Sequence, residues 1–201
     1  MRGKGELAGM VVLVTGGARS GKSSFAEKYA AKRADSGIYI ATAQALDEGM
    51  KRRIDKHRKL REGSGFRWET VEEPLDLPGR LNRLANEAAG EPAPLVLVDC
   101  LTLWLTNVLL EEENEEGELA EERALKRIEG LADALSRYPG QAVLVTNEVG
   151  DGIVPEYPLG RLFRDLAGIL NQRIAAISEE VFLVTAGIPL ELKSLAYRWT
   201  D

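Results

Sequence analysis

The segment Met10–Lys28, MVVLVTGGARSGKSSFAEK, constrains the fold of this chain more than any other part of it. Val11–Val14 is a short apolar run, rich in β-branched residues and close to glycines, which favours a strand buried on both faces. Gly16–Ser23 then matches the pattern G-x-x-x-x-G-K-[ST], and the amphipathic segment Ser24–Arg33 follows it. A strand, a glycine-rich turn and a helix in this order predict a phosphate-binding loop.

The residues of this loop are expected to have distinct chemical roles. Glycines allow backbone N–H groups to approach a polyphosphate closely, and the amino end of the following helix favours an anion. Lys22 is expected to contact the β- and γ-phosphate oxygens. The Ser23 hydroxyl is expected to ligate the Mg²⁺ that bridges these two phosphates. A glycine turn that binds nothing is the simpler interpretation, but the flanking strand and helix favour nucleotide binding. The expected nucleotide contacts are Gly16, Gly17, Ala18, Arg19, Ser20, Gly21, Lys22 and Ser23.

Length and composition predict one domain. The chain has 201 residues, of which 44% are hydrophobic, so we expect a flexible tail at residues 1–9 and a single domain at residues 10–201. No apolar run reaches the roughly 18 residues that a membrane-spanning helix needs, and the amino-terminal segment lacks the apolar centre of a secretory signal. The single cysteine, Cys100, fits a reducing cytoplasm, and its apolar neighbours favour a packed thiol over a nucleophile.

The charge of the chain is acidic overall and unevenly distributed. A formal net charge of −6 argues against a general nucleic-acid-binding surface. Residues 51–61 nevertheless carry seven basic side chains and one acidic one, whereas residues 111–122 are almost entirely acidic. A basic segment in an acidic protein indicates a local anionic ligand rather than a charged polymer.

Short hydrophobic runs that alternate with amphipathic segments predict the other elements. The apolar segment Leu101–Leu110 is either a helix or a buried loop, and Ile188–Tyr197 remains unassigned. Strands are expected at Gly37–Thr42, Phe66–Val71, Leu95–Asp99, Gln141–Thr146 and Val181–Thr185, and helices at Asp47–Arg61, Leu75–Ala89, Leu119–Tyr138 and Leu159–Ser178.

This alternation predicts an α/β fold with right-handed crossovers. Together with the phosphate loop, it indicates a P-loop NTPase-type three-layer sandwich around a mainly parallel, RecA-like central sheet. Ligands of such sheets bind beyond the carboxyl ends of the strands. The loops expected to matter are therefore Gly16–Ser23, Thr42–Gln44, Asp99–Thr102 and Thr146–Gly152.

Two further residues are candidates for chemistry. Asp99 ends the apolar run LVLVD, where a carboxylate near Ser23 can supply a second Mg²⁺ contact, although aspartate is also a common cap at such a place. His57 is the only histidine and lies within the basic segment. A lone histidine is often packed in a core, but a neutral imidazole can also attack phosphorus and form a phosphoramidate. From the residues alone, these two interpretations of His57 are evenly balanced.

Six segments together closely resemble one known family, the bifunctional adenosylcobinamide kinase/adenosylcobinamide-phosphate guanylyltransferases of cobalamin synthesis. The resemblance extends from Met10 to about Lys193, and the five segments beyond the phosphate loop make it specific. The segments are GGARSGKS at 16–23, YIATAQ at 39–44, RIDKH at 53–57, WETVEEP at 68–74, TNEVGDGIVP at 146–155 and RLFRDLAGILNQ at 161–172.

The resemblance implies two reactions. In the first, a nucleoside triphosphate, ATP or GTP, donates its γ-phosphoryl group to the hydroxyl of the aminopropanol arm of adenosylcobinamide. In the second, His57 attacks the α-phosphorus of GTP, releases pyrophosphate and holds GMP until adenosylcobinamide phosphate displaces it. The product would be adenosyl-GDP-cobinamide.

The resemblance also implies a set of binding residues and partners. Mg²⁺ would be held by Ser23 and Asp99, and Asn147 and Glu148 would lie close to the substrates. The protein would be a cytoplasmic homo-oligomer, for which a trimer is one candidate and Trp104 one interface residue. Additional nucleotide contacts are implied at Thr42, Ala43, Gln44, Arg61, Glu72 and Asp99.

The sequence leaves the roles of two arginines and the choice between functions open. Arg161 and Arg164 lie about one helical turn apart and are expected to bind either an anion or another subunit. Two alternative functions also remain. One is a small-metabolite kinase in which His57 is structural, and the other is a nucleotide-dependent switch or ATPase.

Overall fold

The computed structural model describes residues 9–44, 48–49, 51–52, 58–59, 61, 63, 65–88, 92–111 and 117–198, with the backbone alone at 117 and 118. The expected tail, apart from Gly9, and the expected nucleophile His57 lie outside these residues. Within the helix predicted at Asp47–Arg61, all seven of the described residues are helical.

Seven strands and six labelled helices make up the described fold. Each strand predicted from the sequence is confirmed within two residues, and Leu101–Leu110 belongs to a helix. The strands are β1 Val11–Thr15, β2 Ser36–Ala41, β3 Arg67–Glu72, β4 Leu95–Asp99, β5 Ala142–Val145, β6 Glu180–Thr185 and β7 Ile188–Glu191. The helices are α1 Lys22–Ala31, α2 Leu77–Glu87, α3 Leu101–Glu111, α4 Gly117–Arg137, α5 Pro158–Ile177 and α6 Leu192–Leu195.

All strands form one sheet in the order β3-β2-β4-β5-β1-β6-β7. Neighbouring strands are parallel except β6 and β7, which are antiparallel. β5 therefore separates β1 from β4, which is the RecA-like arrangement, and the predicted mainly parallel α/β sheet is confirmed. Among the described residues, no helix is both long and apolar enough to cross a membrane.

A hydrophobic core lies on each face of the sheet. On one face, buried residues of α2, α3, α4 and α5 pack on the strands, and on the other face α1 does so. β1 contributes to both, since Val11 and Leu13 belong to the first core and Val12 and Val14 to the second. The apolar run of β1 thus reflects a strand covered on both sides, which produces three layers.

Trp104 of α3 lies inside the first core. Its side chain is completely buried, and its indole N–H donates to the carbonyl oxygen of Leu75 at 2.8 Å. A side chain with no exposed surface cannot contact a neighbouring subunit. The interpretation of Trp104 as an interface residue is therefore wrong, because the apolar character of this segment comes from burial within the chain.

The hairpin β6–β7 was not predicted. Thr185 pairs with Ile188, so the turn has only two residues, Ala186 and Gly187, with φ of 51° and 79°. Two positive φ values are typical of a type I′ turn, whose usual sequence signal is Asn-Gly or Asp-Gly. Because alanine stands in the first position and Pro189 follows, the sequence carries a weak hairpin signal here.

A matched pair of substitutions in α3 tests the burial of this helix. Leu105 is completely buried, whereas Leu110 is 43% exposed. We expect Leu105→Ala to lower the free energy of unfolding by about 2–5 kcal/mol, because it leaves a cavity, and Leu110→Ala by less than about 1 kcal/mol. Urea denaturation of both variants measures the difference. Equal costs would contradict the described orientation of α3.

Candidate nucleotide-binding site

The loop between β1 and α1 is shaped by two glycines. A Cβ atom at Gly16 would overlap the carbonyl oxygen of Val184, so only glycine allows the chain to pass this point. Gly21 has a φ of 97° and precedes α1 without a side-chain cap on the first turn. Since no side-chain cap occupies this end of α1, its backbone N–H groups are suited to an anionic ligand.

Neighbouring segments hold the loop on both sides. The N–H group of Ser20 donates to the Gly17 carbonyl at 3.3 Å, and that of Gly187 donates to the Ser20 carbonyl at 2.8 Å. On the other side, the N–H group of Glu148 donates to the Gly16 carbonyl at 3.2 Å. The β6–β7 turn and the segment after β5 therefore fix the loop before any ligand arrives.

Lys22 and Ser23 open α1 directly after the loop. Lys22 is 8% exposed, and its Nζ donates to the Gly17 carbonyl at 3.1 Å, so the ammonium group folds back over the loop. Ser23 is half-buried, whereas the three residues at the tip of the loop are exposed, namely Gly17, Ala18 and Arg19. The arrangement combines a fixed cation, a hydroxyl and exposed backbone, which suits a polyphosphate.

The register of the sheet aligns Asp99 with the loop. Asp99 pairs with Val145 of β5, which pairs with Val14 of β1, and on the other side Asp99 pairs with Ala41. Since neighbouring strands lie about 4.8 Å apart, Asp99 is about 10 Å from β1 across the sheet. The two oxygen-bearing side chains expected to bind Mg²⁺, those of Ser23 and Asp99, thus belong to the same end of the sheet.

Asp99 accepts a hydrogen bond from a buried tyrosine that the sequence alone did not indicate as a functional residue. The Tyr39 hydroxyl donates to Oδ2 of Asp99 at 2.9 Å, and Tyr39 is only 4% exposed. The guanidinium carbon of Arg61 lies 3.6 Å from the centre of the Tyr39 ring, a cation–π contact, and Arg61 is itself buried. The sequence signal for Tyr39 was a hydroxyl within the otherwise apolar run Gly37–Ala41.

Glu27 of α1 belongs to the same charged environment. Burial raises the pKa of Glu27 from its ordinary value of 4.5 to about 7, and the negative charge of Asp99 raises it further, whereas the positive charge of Arg61 opposes the rise. Glu27 follows Ser23 by four residues and so lies on the same face of α1. That spacing was the signal that could have identified it from the sequence.

Thr42 binds the peptide that follows Asp99. Its hydroxyl donates to the Cys100 carbonyl at 2.7 Å and accepts from the Cys100 N–H group at 2.8 Å, and Thr42 is completely buried. The side-chain amide of Asn107 donates to the Thr42 carbonyl at 2.8 Å. Thr42 thereby fixes the end of β4, while the adjacent Ala43 is half-buried and Gln44 is exposed.

Glu72 ends the row of paired residues that runs across the sheet from β1 through Asp99 to β3. It pairs with Ala41 and is exposed at the end of β3. Four strand spacings separate β3 from β1, which places Glu72 about 19 Å from β1 across the sheet. The structure therefore brings Asp99 near the phosphate loop but separates Glu72 from it.

Asn147 is held beside Cys100 and Thr102. Its amide nitrogen donates to the Thr102 hydroxyl at 2.6 Å, and the Cys100 sulfur lies 3.1 Å from that hydroxyl. Burial is the largest of the effects that raise the pKa of Cys100, and the charge of Asp99 adds to it. The thiol therefore stays protonated near neutral pH, which agrees with a packed cysteine rather than a nucleophile.

Arg161 and Arg164 of α5 bind the loop that precedes this helix. Arg161 donates to the carbonyl oxygens of Pro155 and Glu156 at 3.2 and 2.6 Å, and Arg164 donates to that of Gly150. These contacts stabilise the loop after β5, and the anion or subunit contact considered from the sequence stays a prediction.

The described residues contain no group of three or more His, Cys, Asp or Glu side chains that could hold a metal ion. A divalent cation at this edge would therefore depend on few protein oxygens together with phosphate oxygens, as is usual for Mg²⁺ beside a nucleotide. The RecA-like sheet, the glycine loop with Lys22 and Ser23, and Asp99 in register define a P-loop nucleotide-binding protein of the α/β class.

The chain belongs to the cobinamide kinase/cobinamide phosphate guanyltransferase family, whose model matches residues 12–192. It is 46% identical over 181 residues to the bifunctional adenosylcobalamin biosynthesis protein CobP of Pseudomonas aeruginosa, which covers 90% of this chain and 96% of that protein. It is 43% identical over 190 residues to the bifunctional adenosylcobalamin biosynthesis protein CobU of Escherichia coli, covering 92% and 100%. The corresponding protein of Salmonella typhimurium is 44% identical over 190 residues, with the same coverage.

Among solved structures, a KaiC-like protein of Pyrococcus horikoshii is similar with a TM-score of 0.43 and 18% identity, covering 88% of this chain and 71% of that one. The family resemblance inferred from the six sequence segments is confirmed by the family match and by the three relatives.

The buried carboxyl of Glu27 predicts a pH dependence of stability. Because its pKa is raised to about 7 in the folded state, the folded protein holds a proton that the unfolded chain releases above about pH 4.5. The contribution of Glu27 to the free energy of unfolding is fully present below about pH 4.5 and is lost as the pH rises through about 7. After allowing for the partial exposure of Glu27, we expect this loss to be about 1–2 kcal/mol.

Urea denaturation without nucleotide or metal, at a series of pH values from about 5 to 7.5, measures this effect. Glu27→Gln should remove the corresponding fall in the free energy of unfolding that the wild type shows. If both proteins lose stability equally over this range, Glu27 does not hold the proton.

Proposed function

We propose that this protein is a bifunctional transferase of cobalamin biosynthesis. It phosphorylates adenosylcobinamide with a nucleoside triphosphate and then transfers GMP from GTP to adenosylcobinamide phosphate. The observation that carries the proposal is a phosphate loop held by hydrogen bonds from both sides, with Asp99 aligned with it through the pairing of β4 and β5. The chain also belongs to a cobinamide kinase/guanyltransferase family, whose model matches residues 12–192. Relatives named as bifunctional proteins match over nearly their full length, which supports both activities.

In the kinase step, the backbone N–H groups from Gly16 to Ser23 bind the phosphates of ATP or GTP. The Lys22 ammonium, now on the Gly17 carbonyl, moves to the transferred phosphoryl group and stabilises its charge. Ser23 and Asp99 offer the hard oxygen donors that suit Mg²⁺, and this ion, when bound, neutralises charge on the phosphate oxygens. The hydroxyl oxygen of adenosylcobinamide then bonds to the γ-phosphorus while the bond from that phosphorus to the β,γ-bridging oxygen breaks, so that the nucleoside diphosphate leaves and the hydroxyl proton is released.

In the guanylyl transfer, His57 is the nucleophile. Its neutral imidazole nitrogen forms a bond to the α-phosphorus of GTP while the bond from that phosphorus to the pyrophosphate oxygen breaks. A phosphate oxygen of adenosylcobinamide phosphate then attacks the same phosphorus, and the P–N bond breaks to release the imidazole. The neighbouring basic side chains offset the charge on the phosphates, namely Lys56, Arg58 and Arg61.

The remaining proposed contacts to GTP are Ala43, Gln44 and Glu72, and the buried residues Thr42 and Arg61 are proposed to support these contacts from within the fold. They belong to the ends of β2 and β3 and to the segment between these strands, which also contains His57. The row from Glu72 to the phosphate loop spans about 19 Å, which is long enough for two nucleotide-dependent reactions at one edge of the sheet. We further propose that the protein works in the cytoplasm as a homo-oligomer, with a trimer as the first candidate.

The guanylyl-histidine intermediate is tested by incubation of the protein with Mg²⁺ and GTP. Denaturing mass spectrometry of the intact protein should show a mass increase of one GMP that is labile in acid and stable in base, as expected for a phosphoramidate. His57→Ala should lack the adduct and still bind nucleotide. If wild-type protein that binds nucleotide forms no adduct, the transferase half of the proposal fails and a kinase with a structural His57 remains.

Substitution of two lysines of α1 tests the proposed kinase activity. Lys22→Met should lower the rate of adenosylcobinamide phosphorylation by about 10²- to 10³-fold, because it removes a positioned donor to the transferred phosphoryl group. Lys28→Met removes an exposed lysine of α1 and should leave the rate unchanged. Phosphate transfer from radiolabelled nucleotide is the measurement, and His57→Ala should retain it. A rate that is the same in both lysine variants would contradict the phosphate-loop assignment.

A further inference from the structure

Tyr39 is hydrogen-bonded to Asp99 at the end of the sheet that carries the phosphate loop. It lies in β2, whose Ala41 pairs with Asp99, and residues two apart on a strand share a face. The Tyr39 side chain therefore lies on the same face of the sheet as that of Asp99, and its hydroxyl donates to Oδ2 at 2.9 Å. The contact joins residues sixty positions apart in the chain.

The Tyr39 ring is fixed on two sides. The guanidinium carbon of Arg61 lies 3.6 Å from the ring centre, and the Trp68 ring meets it nearly edge-on, at 5.9 Å between centroids and 84° between planes. Tyr39 is 4% exposed and Arg61 is 5% exposed. A ring held by a cation on its face and by a perpendicular aromatic ring cannot turn freely, so the direction of its hydroxyl is set in advance.

A fixed hydroxyl limits how the Asp99 carboxylate can rotate. Hydrogen bonds to one oxygen of a metal-binding carboxylate orient the group and restrain its other oxygen, and such partners strongly affect metal affinity. Because the Tyr39 hydroxyl is neutral, it donates a hydrogen bond to one Asp99 oxygen without placing a positive charge where a cation would bind.

We propose that Tyr39 is a positioning residue that orients Asp99 for the Mg²⁺ bound with the nucleotide. The inference rests on the proposed function, since it takes Asp99 as a ligand of that ion. Arg61 contributes by fixing the Tyr39 ring through the cation–π contact. The role of Tyr39 is therefore exerted through Asp99 and not by contact with either substrate.

Tyr138 provides a matched control. It is also a buried tyrosine, 2% exposed, and its hydroxyl donates to the carbonyl oxygen of Pro94 at 2.7 Å. Pro94 precedes β4, whereas Asp99 ends it, so Tyr138 lies at the opposite end of the sheet from the phosphate loop. Loss of the hydroxyl from either tyrosine removes one buried hydrogen bond, but only Tyr39 is bonded to the proposed metal ligand.

The test compares Tyr39→Phe, Asp99→Asn, Tyr138→Phe and wild type in the binding of a fluorescent GTP analogue, first with EDTA and then over a Mg²⁺ titration. For Tyr39→Phe, we expect the Mg²⁺ concentration at half-maximal enhancement of binding to rise about tenfold. The dissociation constant in EDTA should stay unchanged. Tyr138→Phe should match the wild type in both quantities, while urea denaturation should show a similar loss of stability in the two variants.

Three outcomes would overturn the proposal. If Tyr39→Phe responds to Mg²⁺ as the wild type does, Tyr39 is only a structural tyrosine and the proposed function is unaffected. If Tyr39→Phe weakens nucleotide binding equally in EDTA and in Mg²⁺, the hydroxyl supports the fold and not the metal. If Asp99→Asn responds to Mg²⁺ as the wild type does, Asp99 is not a ligand, and the metal assignment in the proposed function fails together with this inference.

Discussion

The nucleotide-binding edge depends on the burial of β1 on both faces. Val11 and Leu13 pack in one core while Val12 and Val14 pack in the other, so the strand is held between the layers of helices. The chain leaves this strand at Gly16, where the carbonyl oxygen of Val184 excludes any side chain. The path of the loop is thereby determined by the packing beneath it. A phosphate site benefits from such fixed donors, because little reorganisation is needed when the ligand binds.

Parallel register extends this fixed edge across the sheet. Val14, Val145, Asp99, Ala41 and Glu72 follow one another from β1 to β3. The carboxyl ends of these strands therefore align, although long segments of chain separate them. A single edge of about 19 Å can then serve both a phosphate loop and a second group of residues near β3, which suits an enzyme with two consecutive transfer reactions.

Features that depend on near neighbours in the chain could be predicted, and features that depend on distant ones could not. The phosphate loop was recognised because its glycines, Lys22 and Ser23 occupy consecutive positions whose spacing is set by one ligand. The segment Leu101–Leu110 stayed ambiguous because α3 is buried on most of its surface, so polar residues do not mark an exposed face. Trp104 was misinterpreted for the same reason, since an apolar segment indicates burial without indicating what covers it.

The sequence by itself determined the strand–loop–helix at Met10–Lys28, the alternation of strands and helices, and the family, because each is written in local spacing and residue type. Only the tertiary structure decided that Tyr39 binds Asp99 and that Arg61 covers the tyrosine ring. It likewise showed that burial, together with the charge of Asp99, raises the pKa of Glu27. These groups come from separate segments of the chain. Their interactions exist only after the sheet has aligned its strands and the surrounding packing has removed water from between them.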